Sequence, residues 1–326
     1  MRRAEQISRR LKLRHLNVLT AVVRWGSMAK AAKHLAISQP VVSKAISDLE
    51  NMLGVRLLDR NPLGIEPTIY GQALLKRSVA IFDDLRASVS EIEFLADPTA
   101  GELRIGTTEA IGGGLLPALI DRLSRRYPRI AFEVVFGDPA TLLDRELRGR
   151  RVDLIIGRLA IPVSADDLEV AVLYNDRLHV VAGVQSRWAR RRKIVLADLV
   201  DERWCLPPPS FPVASLIVDA FHRSGLQTPQ RIMTVGSIMF TSNLIATGLF
   251  LGVLGAIVLE FNVRHLPLKT LPVELPISTT PITIVTLKGR TLNPVAQPFI
   301  DAAREILKPL ASGNARGGGH NNDVVG

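Results

Sequence analysis

The sequence predicts an α+β chain of more than one domain: a small helical head with a β-wing, one long helix, and a two-lobed α/β body. Three observations carry this. Apolar residues recur at helical spacing between Leu16 and Leu53. A heptad seam runs without a proline from Thr68 to Asp97. From Glu102 onward, runs of Val, Ile and Leu alternate with helical segments.

The head comes first. Leu16, Leu19 and Val23 form a stripe that ends at Gly26, a C-terminal stop for a first helix. Ser27 stands where a serine caps a second helix, whose Ala29, Ala31, Ala32 and Leu35 suit close packing. Ser38 caps a third, and Pro40 falls in its first turn, where a missing N–H costs little. Val42, Ile46, Leu49 and Leu53 then make one apolar stripe, leaving Gln39, Ser43, Lys44 and Ser47 on the outer face. A short helix that offers Gln, Ser and Lys outward near its N-terminus suits reading of a DNA major groove. The same pattern also fits an ordinary helical hairpin with a solvated face.

Charge and the following segment favour DNA. The chain carries +10 overall; residues 1–60 hold twelve Lys or Arg against four Asp or Glu, so +8, which leaves +2 for the rest. Such concentration suits phosphate contact. Residues 55–71, VRLLDRNPLGIEPTIYG, place a turn at Asn61-Pro62 and Gly64 between strand-like flanks, a short wing. Arg60 and Thr68 stand at its two ends, in reach of phosphate oxygens.

Together these describe a winged helix-turn-helix, and at this point the residues resemble a known family. AVVRWGSMAKAAKHLAISQPVVSKAISDLENMLGVRLLDR is similar to the DNA-binding signature of LysR-type transcriptional regulators. The likeness extends in length and layout over residues 10–310. It implies DNA contacts by Gln39, Pro40, Ser43, Lys44 and Arg60, with Ser27, Ser38 and Thr68 as further contact candidates. Lys44 stands where the family more often has arginine, a point charge in place of a bidentate fork. Pro62-Leu63-Gly64 gives the wing tip no charge where the family often has a basic residue.

In residues 68–97, Leu75, Ser78, Phe82, Leu85, Val89, Ile92 and Ala96 follow alternating spacings of three and four. A helix of this length spans about 45 Å. Its narrow seam calls for a partner: the same helix of a second subunit, as the resemblance implies, or its own C-terminal domain. Paired subunits present two recognition helices to an interrupted palindrome. Asp97-Pro98-Thr99-Ala100-Gly101 then marks a boundary.

The body reads as two α/β sets with a mainly parallel sheet. The first has strands at 103–106, 130–136 and 152–156 and helices at 115–127 and 140–147. The second has strands at 178–182, 232–235 and 250–254 and helices at 214–224 and 237–246. A last strand near 282–287 and a helix at 293–307 follow. The resemblance implies a C-terminal effector domain like the type 2 periplasmic binding proteins. The expected divisions are 1–67 for the DNA-binding domain, 68–97 for the linker helix, 98–310 for the effector domain and 311–326 for a Gly/Asn-rich disordered tail.

Ligands in open α/β sheets sit off the carboxyl ends of strands, near helix N-termini. That rule selects Thr107, Thr108, Glu109, Arg158, Leu159, Pro209, Phe211, Ser237 and Ile238 as effector contacts. Thr107 and Ser237 also read as plain helix caps. Arg158 offers a fork for a carboxylate, and Glu109 offsets its charge. The IGRL run (156–159) and the WCLPPPS loop resemble the subgroup with regulators of sugar uptake and protocatechuate degradation. A sugar, sugar acid or aromatic acid is the expected ligand.

Other features read as plain structure. Gly112-Gly113-Gly114 lacks the Gly-Lys-Ser/Thr of a P-loop, and loosens a helix start or lets backbone approach the cleft. The apolar run Leu244–Leu259 is short for a membrane span and broken by glycines, so it reads as a buried helix, turn and strand. Arg187 to Lys193 with Trp188 reads as a solvated basic loop or a secondary DNA or subunit contact. Cys205 is the single cysteine, which excludes an intrachain disulfide. No catalytic constellation, metal-ligand spacing or cofactor motif is present in the residue order. The basic N-terminus lacks an apolar h-region, so a cytoplasmic protein is expected. The expected partners are promoter double-stranded DNA, a small effector and further copies as a homodimer or homotetramer, with RNA polymerase a further candidate. The competing reading is an α/β solute-binding or enzyme-like protein whose N-terminal helices serve only association. A DNA-architectural protein without ligand is a third.

Overall fold

A computed structural model describes residues 7, 9–61, 64–159, 161, 165–277 and 279–316; for residues 60, 61, 231 and 311–316 it describes the backbone. The chain divides into two compact units, Met1–Arg86 and Ala87–Gly326. Among the described residues, no helix is long and apolar enough to cross a membrane.

The first unit packs α1 (Leu13–Trp25), α2 (Met28–His34) and α3 (Gln39–Leu53) beside the hairpin β1 (Leu58–Asn61) and β2 (Gly64–Pro67). Leu19, Val22, Ala31, Val42, Ile46 and Leu49 are buried at its centre, as the stripes predict. α1 stops at Gly26 with φ 64°, the left-handed C-cap that favours glycine. The hairpin is antiparallel, with Asn61 opposite Gly64.

α4 (Ile69–Ala96) leaves this unit. Its first turns pack Leu74 and Leu75 on the head. Ser78, polar within the predicted seam, is buried and donates to Leu74 O at 2.8 Å. Leu85, Val89 and Ile92 of the seam are exposed on the single chain, as is Leu95. Phe94, outside the predicted seam, packs into the core of the second unit.

The second unit holds two five-stranded sheets. One is ordered β4-β3-β5-β12-β6, from β3 (Ala100–Thr107), β4 (Arg129–Phe136), β5 (Leu154–Gly157), β6 (Leu168–Asp176) and β12 (Thr280–Leu287). The other is ordered β11-β7-β10-β8-β9, from β7 (Leu178–Gly183), β8 (Arg203–Leu206), β9 (Arg231–Thr234), β10 (Leu251–Gly255) and β11 (Leu268–Thr270). Helices α5 (Glu109–Gly112), α6 (Leu115–Arg126), α7 (Pro139–Thr141), α8 (Pro212–Arg223), α9 (Ile238–Ala246), α10 (Ala256–Phe261) and α11 (Ala296–Arg316) connect and cover them.

The sheets are mixed, which corrects the expectation of mainly parallel ones. β3 runs parallel to β4 and β5, but β12 runs antiparallel to β5 and β6. The reason is that the chain leaves the first lobe along β6 and returns along β12. The two crossings lie side by side: Asp176 is in register with Thr280, whose hydroxyl donates to Asp176 O at 3.3 Å.

Other departures are local. Residues 142–147, expected as α-helix, form a π-helical turn after α7. α11 continues past Ala311 to Arg316, into the segment expected to be disordered. The remainder of that tail, residues 1–6 and the wing tip Pro62-Leu63 lie outside the described residues. The run Leu244–Leu259 resolves into the end of α9, a turn, the fully buried strand β10 and α10.

Candidate functional site

The head gathers Ser38, Gln39, Pro40, Ser43 and Lys44 on the start of α3, while Ser27 precedes α2, Arg60 lies in β1 and Thr68 precedes α4. Ser38 stands at the N-cap of α3 with extended backbone and Pro40 in the first turn. Gln39, Pro40 and Lys44 are exposed, and Ser43 is half-buried. Ser27 and Ser38 occupy cap positions, but neither side chain makes the expected capping bond. Thr68 is committed: its hydroxyl donates to Arg56 O at 2.8 Å and accepts from Gly71 N at 3.1 Å. It ties the wing to the start of α4. The Arg60 side chain lies outside what is described.

Two residues that the sequence reading passed over set the wing against α3. Glu50 Oε1 accepts from the amides of Leu57 (2.7 Å) and Leu58 (3.3 Å), so α3 grips the start of the first wing strand through one carboxylate. Gly71 is the second. A Cβ there would lie 2.1 Å from Leu57 O, so only glycine lets α4 pass that strand. An acidic residue on the inner side of an amphipathic helix, followed by a strand, was the available signal for Glu50.

In the second unit, one cavity collects most of the expected effector contacts. Thr108, Glu109, Arg158, Phe211 and Ile238 line it, with Cys205, Pro207, Thr241, Val253 and Leu254. Its volume is about 80 Å³, where a single water needs roughly 10–15 Å³. The remaining candidates are not among its lining residues. Thr107 is fully buried and donates to Ile156 O at 2.9 Å, which makes it a sheet residue. Leu159 is buried in a satellite core with Leu142 and Val152. Pro209 lines a second hollow beside Ala214, Ile217 and Thr234. Ser237 caps α9, accepting from Phe240 N at 3.3 Å, and its hydroxyl donates to the lining residue Glu109 at 2.9 Å.

The cavity's charges are already engaged. Arg158 Nη2 lies 2.5 Å from Asp176 Oδ2, and Asp176 is fully buried. The expectation of a free Arg158 fork is therefore corrected: a buried carboxylate needs a counter-charge, and Arg158 supplies it. Burial pushes the Asp176 carboxyl above its ordinary range, while Arg158 and the amides of Ile257, Ala256 and Arg177 pull it back. Glu109 does not offset Arg158. Its carboxylate instead accepts from Ser237 Oγ (2.9 Å), Ile238 N (3.0 Å) and Met239 N (3.3 Å), at the start of α9. Cys205 is buried, its thiol 3.5 Å from Thr241 Oγ1, and burial pushes its pKa up, away from the reactive thiolate.

The triple glycine does not reach this cavity. A Cβ at Gly114 would lie 2.0 Å from Asn262 Oδ1, so the glycines serve close packing of α5 and α6 on the end of α10. In the basic loop, Arg187 pairs with Glu202 and lies 5.1 Å from the Trp188 ring centroid.

Comparison with known proteins decides the lineage. Residues 96–308 match the LysR substrate binding domain, and residues 13–72 match the bacterial regulatory helix-turn-helix protein, lysR family. The chain belongs to the LysR family. It is similar to the HTH-type transcriptional regulator TdcA of Escherichia coli, with 28% identity over 90% of this chain and 93% of that one. It is also similar to GbpR of Azospirillum brasilense, with 29% identity over 90% of this chain and 86% of that one. In fold it resembles a cysteine-to-aspartate variant of full-length OxyR from Pseudomonas aeruginosa, with a TM-score of 0.67 and 20% identity, covering 90% of this chain and 95% of that one.

As a LysR-family protein the chain is a DNA-binding transcriptional regulator with an effector-binding domain, and not an enzyme. Members of the family bind DNA and small effectors and form oligomers. α3 lies within the matched helix-turn-helix, and the cavity lies in the matched substrate-binding domain.

Proposed function

We propose that this LysR-type regulator reads an interrupted palindrome in promoter DNA as a dimer or tetramer and changes its hold on that DNA when a small metabolite enters the cavity described above. Residues 1–67 act as the DNA-binding domain, 68–97 as the linker and 98–310 as the effector domain, in the cytoplasm where the promoter is. The observation that carries the reading is the start of α3: Gln39 and Lys44 exposed on an N-terminal turn whose opposite stripe is buried. In this reading Gln39 and Ser43 meet base edges, Ser27, Ser38, Lys44 and Arg60 hold the backbone, and Thr68, its donors spent within the chain, positions the wing. The exposed apolar row Leu85, Val89 and Ile92 supports pairing of linker helices. RNA polymerase is the partner through which bound subunits act on transcription.

The test is Gln39→Ala in a polarisation assay at moderate salt. The probes are the promoter fragment beside the protein's own coding region and a random duplex. A base contact predicts that discrimination between them falls by about 1–3 kcal/mol. Equal loss on both duplexes removes Gln39 from base reading. Failure of the unaltered chain to prefer the promoter fragment removes the regulator's proposed target.

A further inference from the structure

The cavity contains both devices with which proteins hold an anion, a guanidinium and a helix N-terminus. Neither is open. Arg158 is paired with the buried Asp176 at 2.5 Å. The first turn of α9 is filled from the opposite lobe by Glu109, which accepts from Ile238 N at 3.0 Å, Met239 N at 3.3 Å and the Ser237 hydroxyl at 2.9 Å. The next amide, that of Phe240, is given to Ser237 Oγ. The donors that would greet an incoming carboxylate are thus consumed by one that the chain carries itself.

We propose that Glu109 is a built-in anion in the effector cleft, and that it makes the cleft select uncharged ligands over the corresponding carboxylic acids. The inference rests on the reading of this cavity as the effector site. An acid entering it meets the Glu109 charge among apolar walls such as Val253, Leu254 and Phe211, where repulsion between like charges is weakly screened. An alcohol or amide pays no such cost. Thr108 offers a hydroxyl that a neutral carbonyl or hydroxyl oxygen can meet. The sugar-acid and aromatic-acid candidates are therefore disfavoured relative to neutral ligands.

The experiment compares the full chain with Glu109→Ala by thermal melting in sodium acetate, in sodium chloride at equal ionic strength, and in acetamide. Acetate is expected to raise the Tm of Glu109→Ala and to leave the unaltered chain where chloride leaves it, an apparent affinity difference of roughly tenfold or more. Acetamide is expected to favour neither chain over the other, which ties the effect to charge. Acetate that stabilises both chains alike, or neither, overturns the proposal. Glu109→Gln keeps the side chain's size and guards against a folding defect; it should respond to acetate between the other two, and a response equal to the unaltered chain also overturns the proposal. A footprint of Glu109→Ala on promoter DNA, with and without acetate, separates the two readings. Acetate binding that leaves the footprint unchanged removes this cavity from signalling while the anion seat stands.

Discussion

Gly71→Ala is the sharpest perturbation of the DNA-facing unit because two opposing terms can be weighed. Alanine in place of glycine near the start of α4 gains about 1 kcal/mol of helix propensity. Against this, the new Cβ would lie 2.1 Å from Leu57 O, 3.1 Å from Leu57 C and 3.2 Å from Pro67 Cβ. The first of these falls more than roughly 1 Å short of ordinary contact, and the atoms met are backbone, which cannot swing aside. Overpacking of this kind costs typically about 1–3 kcal/mol. Leu57 O also accepts from Thr68 N at 2.9 Å, and losing that bond adds about 1 kcal/mol. The sum is a net loss of about 1–3 kcal/mol, and the strand that carries the wing moves away from α3. Urea unfolding of the full chain, followed at the first transition, should register the loss. Polarisation with the promoter fragment should show weaker binding. A stability gain near 1 kcal/mol with unchanged DNA affinity would mean that helix propensity wins, and would refute the claim that this glycine sets the wing.

Two further outcomes are expected. Val89→Glu should leave each subunit's stability within about 0.5 kcal/mol, because Val89 is 48% exposed on the single chain; sedimentation should show weaker self-association, and an unchanged oligomer would take this face out of the interface. His15 is buried in the head, and burial first, then Arg14 and Lys12, hold its pKa below the ordinary 6.5, with Asp48 opposing. The unfolded chain therefore binds the proton more readily. Its contribution to stability is present above pH 6.5 and is lost as pH falls through the lower folded value. Thermal melts between pH 7.5 and 5 should show the head losing more stability than in His15→Gln, and parallel curves would contradict this.

The head was legible in the sequence because a helix that buries one stripe must repeat it. Val42, Ile46 and Leu49 are buried as their spacing required. The wing was legible because Gly64 and the proline punctuate it. What escaped were partners distant in the chain. Glu109 looked like a free charge in a cleft because its hydrogen-bond partner Ser237 is 128 residues away. Arg158 looked like an open fork because Asp176 ends β6, a strand that periodicity did not reveal. Its apolar stretch Val170–Tyr174 is short and stands between the charged Glu169 and Asp176, and Val170 and Val172 are exposed, as on an edge, so it gave no buried stripe to follow. Missing that strand also hid the antiparallel half of the sheet and the charge pair at its end. The serine caps failed differently. Ser27 and Ser38 hold the backbone angles of a cap without its hydrogen bond, and residue identity alone does not distinguish the two.

The adjacent crossings at Asp176 and Thr280 limit what the effector domain can do mechanically. Two tethers fastened to each other at one edge of the cleft suppress sliding between the lobes and leave rotation about the line through them. A ligand's effect is then an angle. Residues on that line, Asp176 and Thr280, barely move for a given rotation, while those farther out move in proportion to their lever arm. A residue at the axle transmits little of that rotation, and a contact that reports it gains from standing farther out.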